Sequence, residues 1–190
     1  SRSRSRSAGA PLRGMVEPSV RGRSGRFVAL GLLWALLGGC AFPIVGPSSG
    51  PPFRLTDVAD QGDAARRASM RLVLEGLGED QALRPPRALA LYERALQVDP
   101  NNPFAYLALA RHHVDGANPR RALAFLEKAD ALLAHWERLP PGLEADLLGI
   151  RGAALYASGR TVDAIPLLEQ ARQLSPTVWD DARLDATELR

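Results

Sequence analysis

The chain has 190 residues, 46% apolar and 24% charged, which is room for one modest packed domain with accessory segments. Its single cysteine excludes an intramolecular disulfide, so no disulfide framework can organise the fold. Of the 24 basic and 21 acidic residues, the first 39 positions hold seven arginines and one acid, Glu17, leaving 17 basic and 20 acidic residues beyond; that mildly acidic remainder argues against nucleic-acid binding.

The opening "SRSRSRSAGAPLRG" is an arginine-serine tract, but it is short and has no aromatic side chain for base stacking. Residues 1–14 therefore read as an upstream extension. From Met15 the pattern is that of an export signal over 15–39: Arg21, Arg23 and Arg26, then the uncharged apolar run 27–37, then small residues. Leu37, Gly38, Gly39 and Cys40 resemble the lipobox of bacterial lipoproteins, in which a leucine and two small residues precede the lipidated cysteine. The resemblance implies that the Cys40 sulfur takes a diacylglyceryl group, that the signal is cut before it, and that the new amino group is acylated. By the same resemblance Ala41, where aspartate would retain a lipoprotein at the inner membrane, favours the periplasmic leaflet of the outer membrane. An uncleaved inner-membrane helix over 27–45 is the alternative, although Gly38, Gly39 and Pro43 interrupt its second half. A cysteine in a soluble core helix is the third reading, disfavoured because the run has no polar face.

Residues 40–62 are rich in Pro, Gly and Ser and read as a tether. The remainder, 63–190, contains internal repeats. Aligning "PRALALYERALQVDPNN", "RRALAFLEKADALLA" and "VDAIPLLEQARQLSP" superposes Ala88, Ala122 and Ala164, then Tyr92, Leu126 and Leu168, then Ala95, Ala129 and Ala171. Small, large and small residues at this spacing share one helix face and let two helices approach closely. The pattern resembles the second helix of the tetratricopeptide repeat, and Ala88 to Ala122 matches its 34-residue period. Tyr106, Leu109, Ala110 and His113 fall at first-helix positions, as do Leu148, Arg151, Gly152 and Leu155, with Arg151 where an apolar residue is usual.

The resemblance implies an all-α fold: a short right-handed superhelix of about three helix pairs with a C-terminal capping helix, preceded by the unpacked signal segment. The repeats are expected at about 67–102, 103–136 and 145–178, with the cap at 178–190 placing Val178, Trp179, Ala182 and Leu189 on one face over the last repeat. The turn "GEDQALRPP" is expected to be longer than usual, with an insertion at 137–144. Asn102 and Asn118 precede prolines as helix caps, Gly159 ends a helix, Thr161 caps the next, and Pro166 lies one turn inside it.

No catalytic constellation emerges. His112 and His113 are adjacent and so point about 100° apart on a helix, which is not the spacing of a metal pair; His113 is expected in the core, and no metal or cofactor site is assigned. Tetratricopeptide arrays, the resemblance implies, bind peptides or proteins in a concave groove. The groove candidates are Phe104, Leu107, Arg111 and Asp115 with Ala153 and Tyr156, and the bland reading of these residues is that they seal a short superhelix. The expected partners are a protein or peptide in the groove and a membrane through lipid on Cys40, with no nucleic acid. The expected function is a non-enzymatic, lipid-anchored adaptor in the cell envelope, serving pilus or envelope-complex assembly; the alternative is an accessory subunit of a cell-wall enzyme.

Overall fold

A computed structural model describes residues 51–190. The signal segment, Leu37, Gly38, Gly39, Cys40 and the first part of the tether lie outside the described residues. Six helices follow a 3-10 turn at Leu55–Val58: α1 (Ala64–Gln81), α2 (Pro85–Val98), α3 (Pro103–Asp115), α4 (Pro119–Leu133), α5 (Leu143–Ala157) and α6 (Thr161–Leu174). A four-residue helix, α7 (Ala186–Leu189), comes last, and no strand occurs among the described residues. Successive helices pack as antiparallel hairpins, α1 with α2, α3 with α4 and α5 with α6, and the inner helix of each pair also packs on that of the next. This is the all-helical repeat superhelix of the tetratricopeptide type.

The aligned alanines explain the pairing. Ala88, Ala95, Ala122, Ala129, Ala164 and Ala171 are all fully buried, and the large residue between each two fills the hairpin seam. In two pairs that residue meets a glycine of the inner helix. A Cβ built on Gly76 would lie 2.5 Å from the Tyr92 ring, and one on Gly152 would lie 2.8 Å from Leu168. Both glycines serve close approach, in helices where glycine otherwise costs about 1 kcal/mol relative to alanine.

The turn after α1 is shorter than the sequence suggests, because α1 continues through Gln81 and only 82–84 connect it to α2. Each hairpin turn has one residue in the left-handed region: Leu83 (φ 56°), Ala117 (φ 53°) and Gly159 (φ 82°). Only the third is the glycine that announces such a turn. Asn102 caps α3 by accepting from Phe104 N at 3.1 Å, whereas Asn118 makes no side-chain cap. Thr161 is the first residue of α6 and not its cap; Arg160 and Asp163 form an ion pair across that start. Helix α6 runs through Pro166 unbroken, since a proline this near the start removes one backbone bond. Arg151, anomalous for its position, pairs with Asp130 of α4 and joins the second and third repeats.

The insertion between α4 and α5 has a packing role. Trp136 sets its ring edge-on to Phe104, with centroids 5.8 Å apart, and Gly142 (φ 80°) lets the backbone of Phe53 approach α5.

Asn102 also ties the first repeat to the second. Its Nδ2 donates to Ser69 Oγ at 2.9 Å, and that hydroxyl donates to Ala95 O at 2.8 Å, so one buried amide links α1, α2 and α3. Replacing Asn102 with Ala removes a cap and leaves Ser69 with one partner fewer. Urea unfolding should report a loss of about 1–3 kcal/mol, and a loss below a few tenths would mean that the link carries no stability.

Candidate functional site

Helices α2, α4 and α6 bury one stripe each, whereas α3 and α5 bury residues on nearly every side. An inner helix packed all round needs a third covering layer in addition to its hairpin partner. The sequence leaves two readings of this face, a partner-binding groove or residues that seal a short superhelix, with a terminal helix over the last repeat. Two segments of the chain itself supply the covering layer, and the second of them is mostly irregular chain and not a continuous helix.

Residues 51–58 cover one part. Phe53 stacks on Phe104 with centroids 5.8 Å apart, and Leu55 and Val58 are buried in the same core. Residues 175–190 cover the rest, mostly as irregular chain, and α7 packs against α1 at the far end of the array. Thr56 N donates to Arg190 O at 3.2 Å, so the two covering segments meet.

The groove candidates divide accordingly. Phe104 lies between Phe53 and Trp136, and Leu107 is fully buried. Arg111 is only 3% exposed; its Nη1 donates to Asp115 at 2.6 Å and its Nη2 donates to Asp80. The Asp115 side chain is 46% exposed. Ala153 borders a small cavity beside Trp179, Ala182 and Leu184, and Tyr156 is 59% exposed on the last repeat. The six residues therefore do not form one open surface.

Two carboxylates that the sequence did not single out organise this face. Asp80, at the end of α1, receives Tyr92 Oη at 2.9 Å, Arg111 Nη2 and His112 Nδ1 at 3.0 Å. Burial works against its charge, but His112 and Arg111 outweigh that and hold its pKa below the ordinary value. The Tyr92 hydroxyl is pushed far up by burial and by the neighbouring Asp80 charge. Asp80 lies within a stretch that reads as a turn, so nothing in the pattern places it on a helix facing α3. His113 packs in the core as expected, stacked on Phe125 with centroids 5.3 Å apart, and burial lowers its pKa.

The second carboxylate is Asp146, on α5. Trp179 Nε1 donates to its Oδ1 at 3.1 Å, and Oδ2 has no partner. The indole lies where a side chain on Gly149 would be, since a Cβ there would sit 2.3 Å from the ring. Burial raises the Asp146 pKa to about 7, against the lowering effect of Trp179, and the Glu188 charge raises it further. The sequence signal for this site is Asp146 one turn before Gly149 in the mostly apolar helix α5, paired with a tryptophan in an acidic tail.

A cavity of about 690 Å³ opens beside these groups, with Asp80, Arg111, His112 and Asp115 on one wall and Arg183, Asp185, Ala186 and Thr187 on the other. Among the described residues no cluster of His, Cys, Asp and Glu has the makings of a metal site, and no helix is long and apolar enough to cross a membrane.

The geometry defines a helical-repeat array of three stacked hairpins. The tetratricopeptide repeat family model matches residues 81–139, from the end of α1 through α4 and into the insertion. No curated protein matches the sequence. Repeats of this family mediate protein-protein interaction, and an all-helical fold of this kind is typically a non-enzymatic scaffold.

The Asp146 environment sets a pH dependence. Its pKa is raised in the folded state, so the native protein holds a proton that the unfolded chain has released. That contribution to stability is complete below the unfolded value near 3.8 and is lost as pH rises toward about 7. Glu188, whose pKa burial also raises, acts with the same sign. Urea titrations across this range should show stability falling by up to ~1.4 kcal/mol per pH unit, with the slope reduced in Asp146→Asn. An unchanged slope in that variant would assign the dependence to other groups.

Proposed function

We propose that the chain is a lipid-anchored adaptor that holds a partner protein beside a bacterial envelope membrane. The observation that carries this reading is the pairing, in one chain, of a tetratricopeptide-type array with Leu37, Gly38, Gly39 and Cys40 after a basic segment and an uncharged apolar run. Acyl chains on Cys40 supply the anchor, at roughly 0.8 kcal/mol per buried methylene, and more than one chain is needed for permanent retention. Ala41 favours the outer membrane's periplasmic leaflet, and only the part of the expected tether that precedes Phe53, which is packed on the array, can separate the array from the bilayer.

The array binds and the anchor locates. No constellation of nucleophile, base and oxyanion donors accompanies the buried ion pairs among the described residues, and Asp80, Arg111 and His112 bind one another, with Arg111 Nε left without a partner.

Expression of the full chain with Cys40→Ala tests the anchor. The wild type should incorporate labelled palmitate and sediment with membranes, and the variant should do neither and should retain its signal. Normal cleavage of the variant with release of an unlipidated domain would overturn the lipobox reading, and an unchanged membrane-bound product would favour the uncleaved helix. In-cell crosslinking of the wild type tests the adaptor role, which requires a stoichiometric protein partner.

A further inference from the structure

Residues 176–190 take the path that a ligand of the concave face would take. Leaving α6, the chain turns on Ser175, whose carbonyl accepts from Val178 N and Trp179 N, and sets the Trp179 indole into the Gly149 notch of α5. Leu184 then shares a small cavity with Val114 of α3 and Ile150 of α5. Leu189, in α7, is buried where that helix packs on α1, and Arg190 reaches Gln81 Oε1 at 3.3 Å. Trp179, Leu184 and Leu189 are the large buried side chains of this segment, one every five residues, and they meet the inner helices in the order α5, then α3 and α5 together, then α1.

The segment is held less completely than the helices beneath it. Between α6 and α7 it has no regular hydrogen-bonded structure, and Asp146 keeps an unpartnered oxygen under the indole. The cavity of about 690 Å³ remains between Arg183 to Thr187 and the Asp80 cluster. At its rim Leu83 is 87% exposed and left-handed, two unfavourable conditions for leucine. Elements with few backbone bonds and loose packing open before the core does.

We propose that residues 176–190 are a displaceable occupant of the concave face, and that the partner is a peptide segment of the same chemistry, W-x4-L-x4-L in an acidic context. Its indole N–H takes the place of Trp179 on Asp146, and its leucines replace Leu184 and Leu189. This rests on the adaptor reading and adds to it what the bound segment looks like and what it displaces.

Two measurements on the full chain test the inference. In native-state hydrogen exchange of the wild type, amides of 176–190 should exchange at least ~10-fold faster than those of α3 and α5; exchange in step with those helices would make the segment an integral part of the core and overturn the proposal. In the second, a fluorescent peptide with the sequence of residues 175–190 is titrated into the wild type and into Trp179→Ala. The variant should bind at least ~10-fold more tightly, a peptide lacking its own tryptophan should not bind, and adding Gly149→Leu to the variant, which fills the notch, should abolish binding. Equal binding to both chains, or none to a Trp179→Ala chain of native helix content, would overturn the proposal. Should that variant lose its helices, the exchange result on the wild type decides. The adaptor reading fails separately, if crosslinking yields no protein partner.

Discussion

Pairing each inner helix with its outer neighbour covers only one of the two apolar faces that α3 and α5 carry, and three repeats are too few to hide the other by curvature. The exposed face therefore has to be covered, and much of the rest of the structure follows from how that is done. Phe53 and the 3-10 turn come in from one side, the segment after α6 comes back from the other, and they join at Thr56 and Arg190. The insertion between α4 and α5 belongs to the same solution, since Trp136 and Gly142 shape the space that Phe53 fills. A long solenoid can leave its concave face open because many neighbours share the stabilisation; a short one depends on covering segments at its ends.

The polar groups of this face obey the same constraint. Arg111 would be solvated in an open groove. Once covered, it needs fixed partners, and Asp80 and Asp115 provide them, while Tyr92 and His112 complete the coordination of Asp80. Breaking such a buried set costs more than forming it contributes, so its effect is mainly to fix register between α1 and α3. Like Arg111, whose Nε has no partner, Asp146 is satisfied only in part, with one hydrogen bond and one orphaned oxygen, and it lies under the covering segment that has the least regular structure.

The helical pairs were legible because their information is local. Alanine spacing at 88, 95, 122, 129, 164 and 171 defines the seams whatever lies across from them, and the tetratricopeptide pattern extends that reading to an all-helical array. Turn chemistry was legible only in part: Gly159 announces its left-handed turn, but Leu83 and Ala117 adopt the same conformation with side chains that normally avoid it. The covering of the concave face was not legible. Whether Phe104 meets solvent or Phe53, and Gly149 solvent or Trp179, depends on contacts between residues far apart in sequence, and no periodicity records them. Trp179 and Leu189 read as packing residues, but on one face of a capping helix over the last repeat, whereas they pack from a mostly irregular segment, with Leu184 between them.

The bond between Thr56 and Arg190 also orders events in time. Each helix hairpin closes a short loop and can form on its own schedule, whereas this bond joins segments near the two extremes of the described chain and closes a long one. It requires all three hairpins to be stacked in register, because a misplaced third repeat would carry the segment after α6 with it and leave α7 short of α1. The last contact made is thus a check on every earlier one, and a misassembled array would keep its apolar inner face uncovered, in the form that quality-control proteases and chaperones recognise.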